Sequence, residues 1–204
     1  MHEVFQLLTI AGVFVLSVIS PGPNFAIVTS TAMTVSRRTG VVAGLGLAAA
    51  SLTWALLAVA GIGIILTQVP WIYTAVKLAG AAYLIWLGFK MVLGARKSVA
   101  LSDSQGITGA TAFRKAYLVS MTSPKSIAFY GSIFFVMVPA HAAPWFYVAV
   151  VLMAALVSCV WYCGLALLFS HGATRRIFAR AKTGIETTMG VALMGMGGKL
   201  LLSR

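Results

Sequence analysis

The chain has 204 residues, of which 60% are hydrophobic and 9% charged, and it carries a formal net charge of +12. A soluble domain uses about a quarter charged residues to cover its surface, so this composition excludes a soluble globular protein. At about 20 residues per membrane crossing, the length allows about five to seven helices and leaves no room for a separate extramembrane catalytic domain.

The apolar residues fall in long runs. The 33 positions from Val4 to Ser36, the 38 from Thr39 to Val76 and the 49 from Ser126 to Thr174 contain no Asp, Glu, Lys or Arg. We read six apolar segments, at 4–35, 40–67, 71–93, 116–138, 145–170 and 184–202. The connections between them alternate in charge. Arg37 and Arg38, then Lys90, Arg96, Lys97, Arg114 and Lys115, then Arg175, Arg176, Arg180 and Lys182 mark three basic connections. Thr67 to Pro70 and Pro139 to Pro144 hold no Lys or Arg. The positive-inside rule puts the basic connections in the cytoplasm and both termini outside. The positive charge thus faces anionic lipid, and no nucleic-acid partner is expected. Met1-His2-Glu3 supplies no basic leader and no small-residue cleavage site follows, so the first run reads as a span and not a removed signal peptide.

In the first segment, Val4 to Ile19 is short for a span, and Val4 to Val35 is long for one. Between them stands Ser20-Pro21-Gly22-Pro23-Asn24. Two prolines remove two backbone donors and obstruct the preceding turn, and glycine adds freedom, so the helix should break in mid-membrane. A break at that depth must face protein or a water-lined cavity. The second half-helix would begin near Asn24, with the positive end of its dipole suited to a carboxylate.

The second segment opens Gly40-Val-Val-Ala-Gly44-Leu-Gly46. Small residues spaced by four let helices approach closely, which makes this a packing face. In the third segment Lys77 lies within the apolar run, where it either snorkels to the interface or serves a polar path. The stretch from Ala95 to Thr111, with Ser-Asp-Ser-Gln-Gly at 102–106, is a polar linker. We take 95–115 as a basic cytoplasmic linker between a half at 1–94 and a half at 116–204.

The fourth segment repeats a proline signal at Ser123-Pro124-Lys125. A lysine at membrane depth is costly, so Lys125 should either meet an anionic substrate group beside a second break or snorkel to the interface. In the fifth segment Cys159 and Cys163 stand four apart on one helical face, a spacing that favours packing over a disulfide. The sixth holds Glu186, an acid at membrane depth that serves either as a proton carrier or as a partner of Lys182. His2, His141 and His171 have no metal-ligand spacing, and no metal or cofactor is expected. There is no phosphate loop or nucleophile elbow, and the chain does not read as an enzyme.

Three spans per half means that related halves would lie in opposite orientations, as in many transporters. Ser20-Pro21 and Ser123-Pro124 correspond at one offset, and Lys77, Gly88 and Lys90 correspond to Glu186, Gly197 and Lys199 at another. The expected fold is all-α: six transmembrane helices in two inverted three-helix repeats, the first and fourth helices broken at proline motifs.

Taken together, these motifs resemble the LysE/RhtB family of amino-acid exporters. The resemblance rests on Ser20-Pro21-Gly22-Pro23-Asn24, Arg38-Thr-Gly40 to Gly46, and Lys77-Leu-Ala-Gly80 through Tyr83-Leu84 to Gly88-Phe-Lys90. It extends to Phe113 through Pro124-Lys125 and to the glycine-rich Gly190 to Leu201. Members usually read Asn-Pro-Lys where this chain has Ser123-Pro124-Lys125, which exchanges an amide for a hydroxyl. The resemblance implies a multi-pass bacterial inner-membrane protein exporting homoserine, threonine, lysine or related zwitterions, with proton coupling. A substrate site would then draw on Pro21, Gly22, Pro23, Asn24, Ser123, Pro124, Lys125 and Lys77, with Glu186 as coupling candidate. The expected partners are an amino acid, a proton and the bilayer, with assembly into a homo-oligomer left open. Two other readings stand beside it: a membrane redox protein working through cysteines, and a non-transporting scaffold.

Overall fold

The computed structural model describes residues 2–68, 70–94, 108–134, 137–139 and 142–169, and within the last segment 183–184, 187–188, 190–195, 197–198 and 201–202. Among the described residues every regular element is helical and there is no strand.

Prolines set where the helices begin. Pro23, Pro70, Pro124 and Pro144 each occupy the first position of a helix, where the missing N–H costs nothing. The first apolar segment becomes α1 (His2–Ile19) and α2 (Pro23–Thr34), bent by 55° at Ser20–Gly22. Next come α3 (Arg37–Gln68) and α4 (Pro70–Gly94). The Ser36 hydroxyl caps α3 by accepting the Thr39 N–H at 3.0 Å.

α5 (Gly109–Met121) starts earlier than its apolar segment, because the Thr108 hydroxyl accepts the Thr111 N–H at 3.4 Å and holds a polar first turn in the helix. Arg114 and Lys115 are therefore helical. After Thr122 and Ser123 the chain resumes as α6 (Pro124–Ala128) and widens into a π-helical turn at Phe129–Phe134. α7 (Pro144–Phe169) is the last long helix described.

α3 lies at the centre, packed chiefly against α7 and α5. Its small residues make this contact. A methyl group at Gly44 would lie 3.0 Å from the α7 backbone at Tyr162 and Cys163, and one at Gly46 would collide with the Phe113 carbonyl of α5. The glycine-rich start of the second segment is thus a packing face between backbones. Leu47, Phe14, Phe146, Val150 and Ala154 fill the core around it. Deeper along α3, the buried Ser158 hydroxyl of α7 donates to Ser51 at 2.8 Å. Cys163 belongs to the same seam, its Sγ 3.8 Å from the Val41 carbonyl, and both cysteines are free thiols.

The outer faces are as apolar as the core. In α7, Val148, Leu152, Leu156 and Val160 recur every fourth residue and all are more than half exposed. A stripe of this kind is costly in water and neutral in lipid. Arg37–Gly61 of α3 and the whole of α7 are long and apolar enough to cross a membrane, and the bent α1–α2 pair makes a third span if counted as one. At one end of the bundle Glu3 accepts the Ala143 N–H at 2.9 Å, tying the start of α1 to the start of α7.

Candidate functional site

The two interruptions, at Ser20–Gly22 and at Thr122–Ser123, meet inside the bundle. Each arises from local sequence. Pro21 and Pro23 have no N–H to give to the carbonyls four residues earlier, so the last turn of α1 is left open. α2 restarts with an extended Gly22 as its N-cap, without a side-chain cap. α6 restarts in the same way after an extended Ser123, again with proline first and no side-chain cap.

The interruptions are tied to each other by side chains. Lys125, in the first turn after the second break, donates through Nζ to the carbonyl oxygen of Ser20, just before the first break, at 2.9 Å. Asn24, in the first turn after the first break, donates through Nδ2 to the hydroxyl of Ser120, just before the second break, at 3.1 Å. The exchange is reciprocal: each restarting helix reaches back to the helix that ends at the other break. Asn24 Nδ2 also lies 3.5 Å from the hydroxyl of Tyr162 on α7.

A small cavity of about 30 Å3 lies between the breaks, room for one or two waters. Ser20, Gly22, Pro23, Asn24, Ser123 and Lys125 form one side of it. Ser17, Ser51, Ser126 and Tyr162 add hydroxyls, and Phe14, Phe129 and Tyr130 close it with a ring cluster in which Phe14 and Phe129 stand 5.6 Å apart. The wall is polar at its centre and aromatic around it, and among the described residues no Asp or Glu lines it. Two buried acceptors, Asn24 Oδ1 and Ser123 Oγ, have no hydrogen-bond partner among the described residues. Unpaired buried polar atoms of this kind are expensive in a fold and common at binding sites.

Of the residues singled out from the sequence, Gly22, Pro23, Asn24, Ser123 and Lys125 converge on this cavity. Pro21 and Pro124 border a second, larger space on the other side of the same wall. Lys77 falls within α4, and its side chain lies outside the described residues, as does Glu186. Ser120, Tyr162 and Ser51 were not picked out. The proline motif before α6 hinted at Ser120, whereas Tyr162 and Ser51 sit in apolar runs without any local break to mark them.

The family model for LysE type translocators matches residues 15–204. The chain is 30% identical to a threonine efflux protein of Escherichia coli K12 over 204 residues, covering 97% of this chain and 98% of the relative. It is 32% identical to a threonine efflux protein of Salmonella typhi over 203 residues, covering 96% and 97%. A leucine efflux protein of Klebsiella pneumoniae is 28% identical over 198 residues, covering 94% and 91%. No solved structure matches the chain significantly. With the match running from the middle of α1 to the C-terminus, the chain belongs to the LysE type translocator family, whose members are membrane transporters and not enzymes.

Proposed function

We propose that the protein exports amino acids or closely related small zwitterions across the bacterial inner membrane, by alternating access around the two helix breaks. The observation that carries this reading is the reciprocal tie of Lys125 to Ser20 and Asn24 to Ser120 around a cavity with spare acceptors. The threonine and leucine efflux proteins that the chain resembles support this direction and substrate class.

An α-amino acid carries one carboxylate and one ammonium group at fixed separation. Lys125 has three donors and uses one on the Ser20 carbonyl, so it has donors for a carboxylate. A carboxylate is the stronger acceptor, because it meets the ammonium with a full negative charge where the carbonyl offers only a dipole. Substrate would therefore compete with Ser20 for Lys125 and loosen the tie between the breaks. Asn24 Oδ1 and Ser123 Oγ would accept from the ammonium group. The present cavity is too small for an amino acid, so binding has to separate the two half-helices. Ligand that fits only the separated arrangement shifts the equilibrium towards it, which is the requirement for alternating access.

The reading includes six spans in two inverted halves, 1–94 and 116–204, joined by a basic cytoplasmic stretch at 95–115, with both termini periplasmic. The crossed contacts of Lys125 with the end of α1 and of Asn24 with the end of α5 support a paired arrangement of the two breaks. Proton coupling belongs to the same proposal, with Glu186 as the carrier and Lys77 as a further polar group on the path.

The test is export from cells producing wild type, Asn24→Ala or Lys125→Ala at equal membrane abundance. The reading requires both variants to lose export. Full export by both would remove the site from between the breaks.

A further inference from the structure

The wall formed by the two breaks has a second side. Gly22, Pro23, Ser123 and Lys125 line the small inner cavity and also a larger one of about 330 Å3. The larger space is bounded on its far side by α4, through Tyr83, Trp86 and Lys90. Its volume is in the range of small-molecule sites, about 300–1,000 Å3. The two spaces are thus separated by the break residues themselves, drawn together by Lys125 and Ser20.

The chemistry of the larger space is specific. Lys90 Nζ stands 4.8 Å from the centre of the Trp86 ring, so the ammonium lies over an aromatic face. Tyr83 packs beside Trp86, ring centres 5.4 Å apart, and the two rings form an apolar wall. Lys125 stands at the inner end. Among the described residues, no Asp or Glu lines either cavity. A ligand here finds two cations and an aromatic side.

We propose that this cavity is the loading vestibule of the transporter and that it takes α-amino acids with uncharged side chains. The carboxylate docks on Lys90, the side chain lies against Trp86 and Tyr83, and the ligand passes inward when Lys125 leaves Ser20. A lysine or arginine substrate would bring a second cation towards the ammonium groups of Lys90 and Lys125, so basic amino acids are rejected at this stage. Lys90 lies near the end of α4, directly before the basic 95–115 stretch, which is the side from which an exporter loads. The assignment rests on the exporter reading above.

The experiment uses inside-out membrane vesicles from cells producing the full chain, with labelled threonine and leucine as probes. Initial uptake rates against concentration are compared for wild type, Lys90→Gln, Lys90→Arg and Trp86→Ala. Lys90→Gln and Trp86→Ala should raise KM about tenfold with the maximal rate kept within about twofold, because they weaken docking and leave the inner site intact. Lys90→Arg should bring KM back to within about threefold of wild type. Excess unlabelled leucine should block threonine uptake by wild type, and excess lysine should not. Wild-type transport with KM unchanged in Lys90→Gln, or with lysine competing as well as leucine, overturns the vestibule and leaves the exporter reading standing. Wild-type vesicles that move neither amino acid overturn the exporter reading and this assignment with it.

Discussion

Lys125 Nζ lies 2.9 Å from the carbonyl oxygen of Ser20, a residue 105 positions away in the chain. The contact joins the end of α1 to the start of α6 at the depth where both helices are interrupted. The acceptor is a main-chain carbonyl that a continuous helix would have used internally. The interruption thus supplies the acceptor, and the lysine after the second interruption uses it. Nothing in this contact needs an acidic residue, which suits a chain with only 3 Asp and Glu in total.

The amide of Asn24 gives a graded test of the site. Its Nδ2 is 3.1 Å from the Ser120 hydroxyl and 3.5 Å from that of Tyr162. Removing the shorter partner should cost more. We expect Ser120→Ala to slow export about tenfold and Tyr162→Phe no more than about threefold, the range of one net hydrogen bond and a fraction of one. Initial export rates at matched membrane abundance decide it; the reverse order would mean that Asn24 is held by Tyr162.

Glycines in the α3 seam should be far less replaceable than glycines on the outer faces. A methyl group at Gly46 meets the Phe113 carbonyl, which is backbone and has no rotamer to change. Gly46→Ala should destabilise by about 1–3 kcal/mol through overpacking. Gly12 has nothing within 4 Å of an added methyl group, and Gly12→Ala should be neutral or gain about 0.5–1 kcal/mol from helix propensity. Thermal unfolding of the purified proteins in detergent would compare them, and equal melting temperatures would rule out backbone contact at Gly46.

How much of this arrangement was legible in the sequence differs between its two halves. The interruptions were legible, because Pro21-Gly22-Pro23 and Pro124 act on the backbone locally and need no knowledge of neighbours. The close approach of Gly44 and Gly46 to other helices was legible for a similar reason: a row of small residues has one common use in a membrane helix. What Lys125 touches was not legible. Its partner is a carbonyl, which every residue carries, so no side chain announces it. Tyr162 and Ser51 were hidden by their surroundings, since one hydroxyl in an apolar helix is ordinary until tertiary packing brings it to a cavity. The start of α5 was not legible from hydropathy, because Thr108 caps a polar turn that precedes the apolar run.

The buried pair Ser51 and Ser158 should behave as one unit. Their hydroxyls are 2.8 Å apart and join α3 to α7. Either single alanine leaves the other hydroxyl with a lost bond, at a cost of about 1 kcal/mol. The double variant should cost less than the sum, with a coupling of about 0.6 kcal/mol, as for membrane-helix hydrogen bonds in general. A double-mutant cycle in denaturation midpoints measures this, and strict additivity would show that the two hydroxyls are not coupled.

The two thiols should be dispensable for transport. Cys159 and Cys163 are free, Cys163 sits in the α3–α7 seam, and neither is a lining residue of the cavity between the breaks. A Cys159→Ala, Cys163→Ala variant should export at the wild-type rate within about twofold, since small apolar residues fill the same space. Loss of activity with unchanged membrane abundance would favour the redox reading of the chain instead.

The most direct measurement of the central claim follows amino acids inside and outside cells loaded with dipeptides, which raise the internal pools. It compares cells without the protein, cells producing wild type and cells producing Lys125→Ala at the same membrane level. The account predicts that one or a few uncharged amino acids leave faster with wild type and at the background rate with Lys125→Ala. Export by Lys125→Ala at the wild-type rate, or no amino acid leaving faster with wild type, would contradict it.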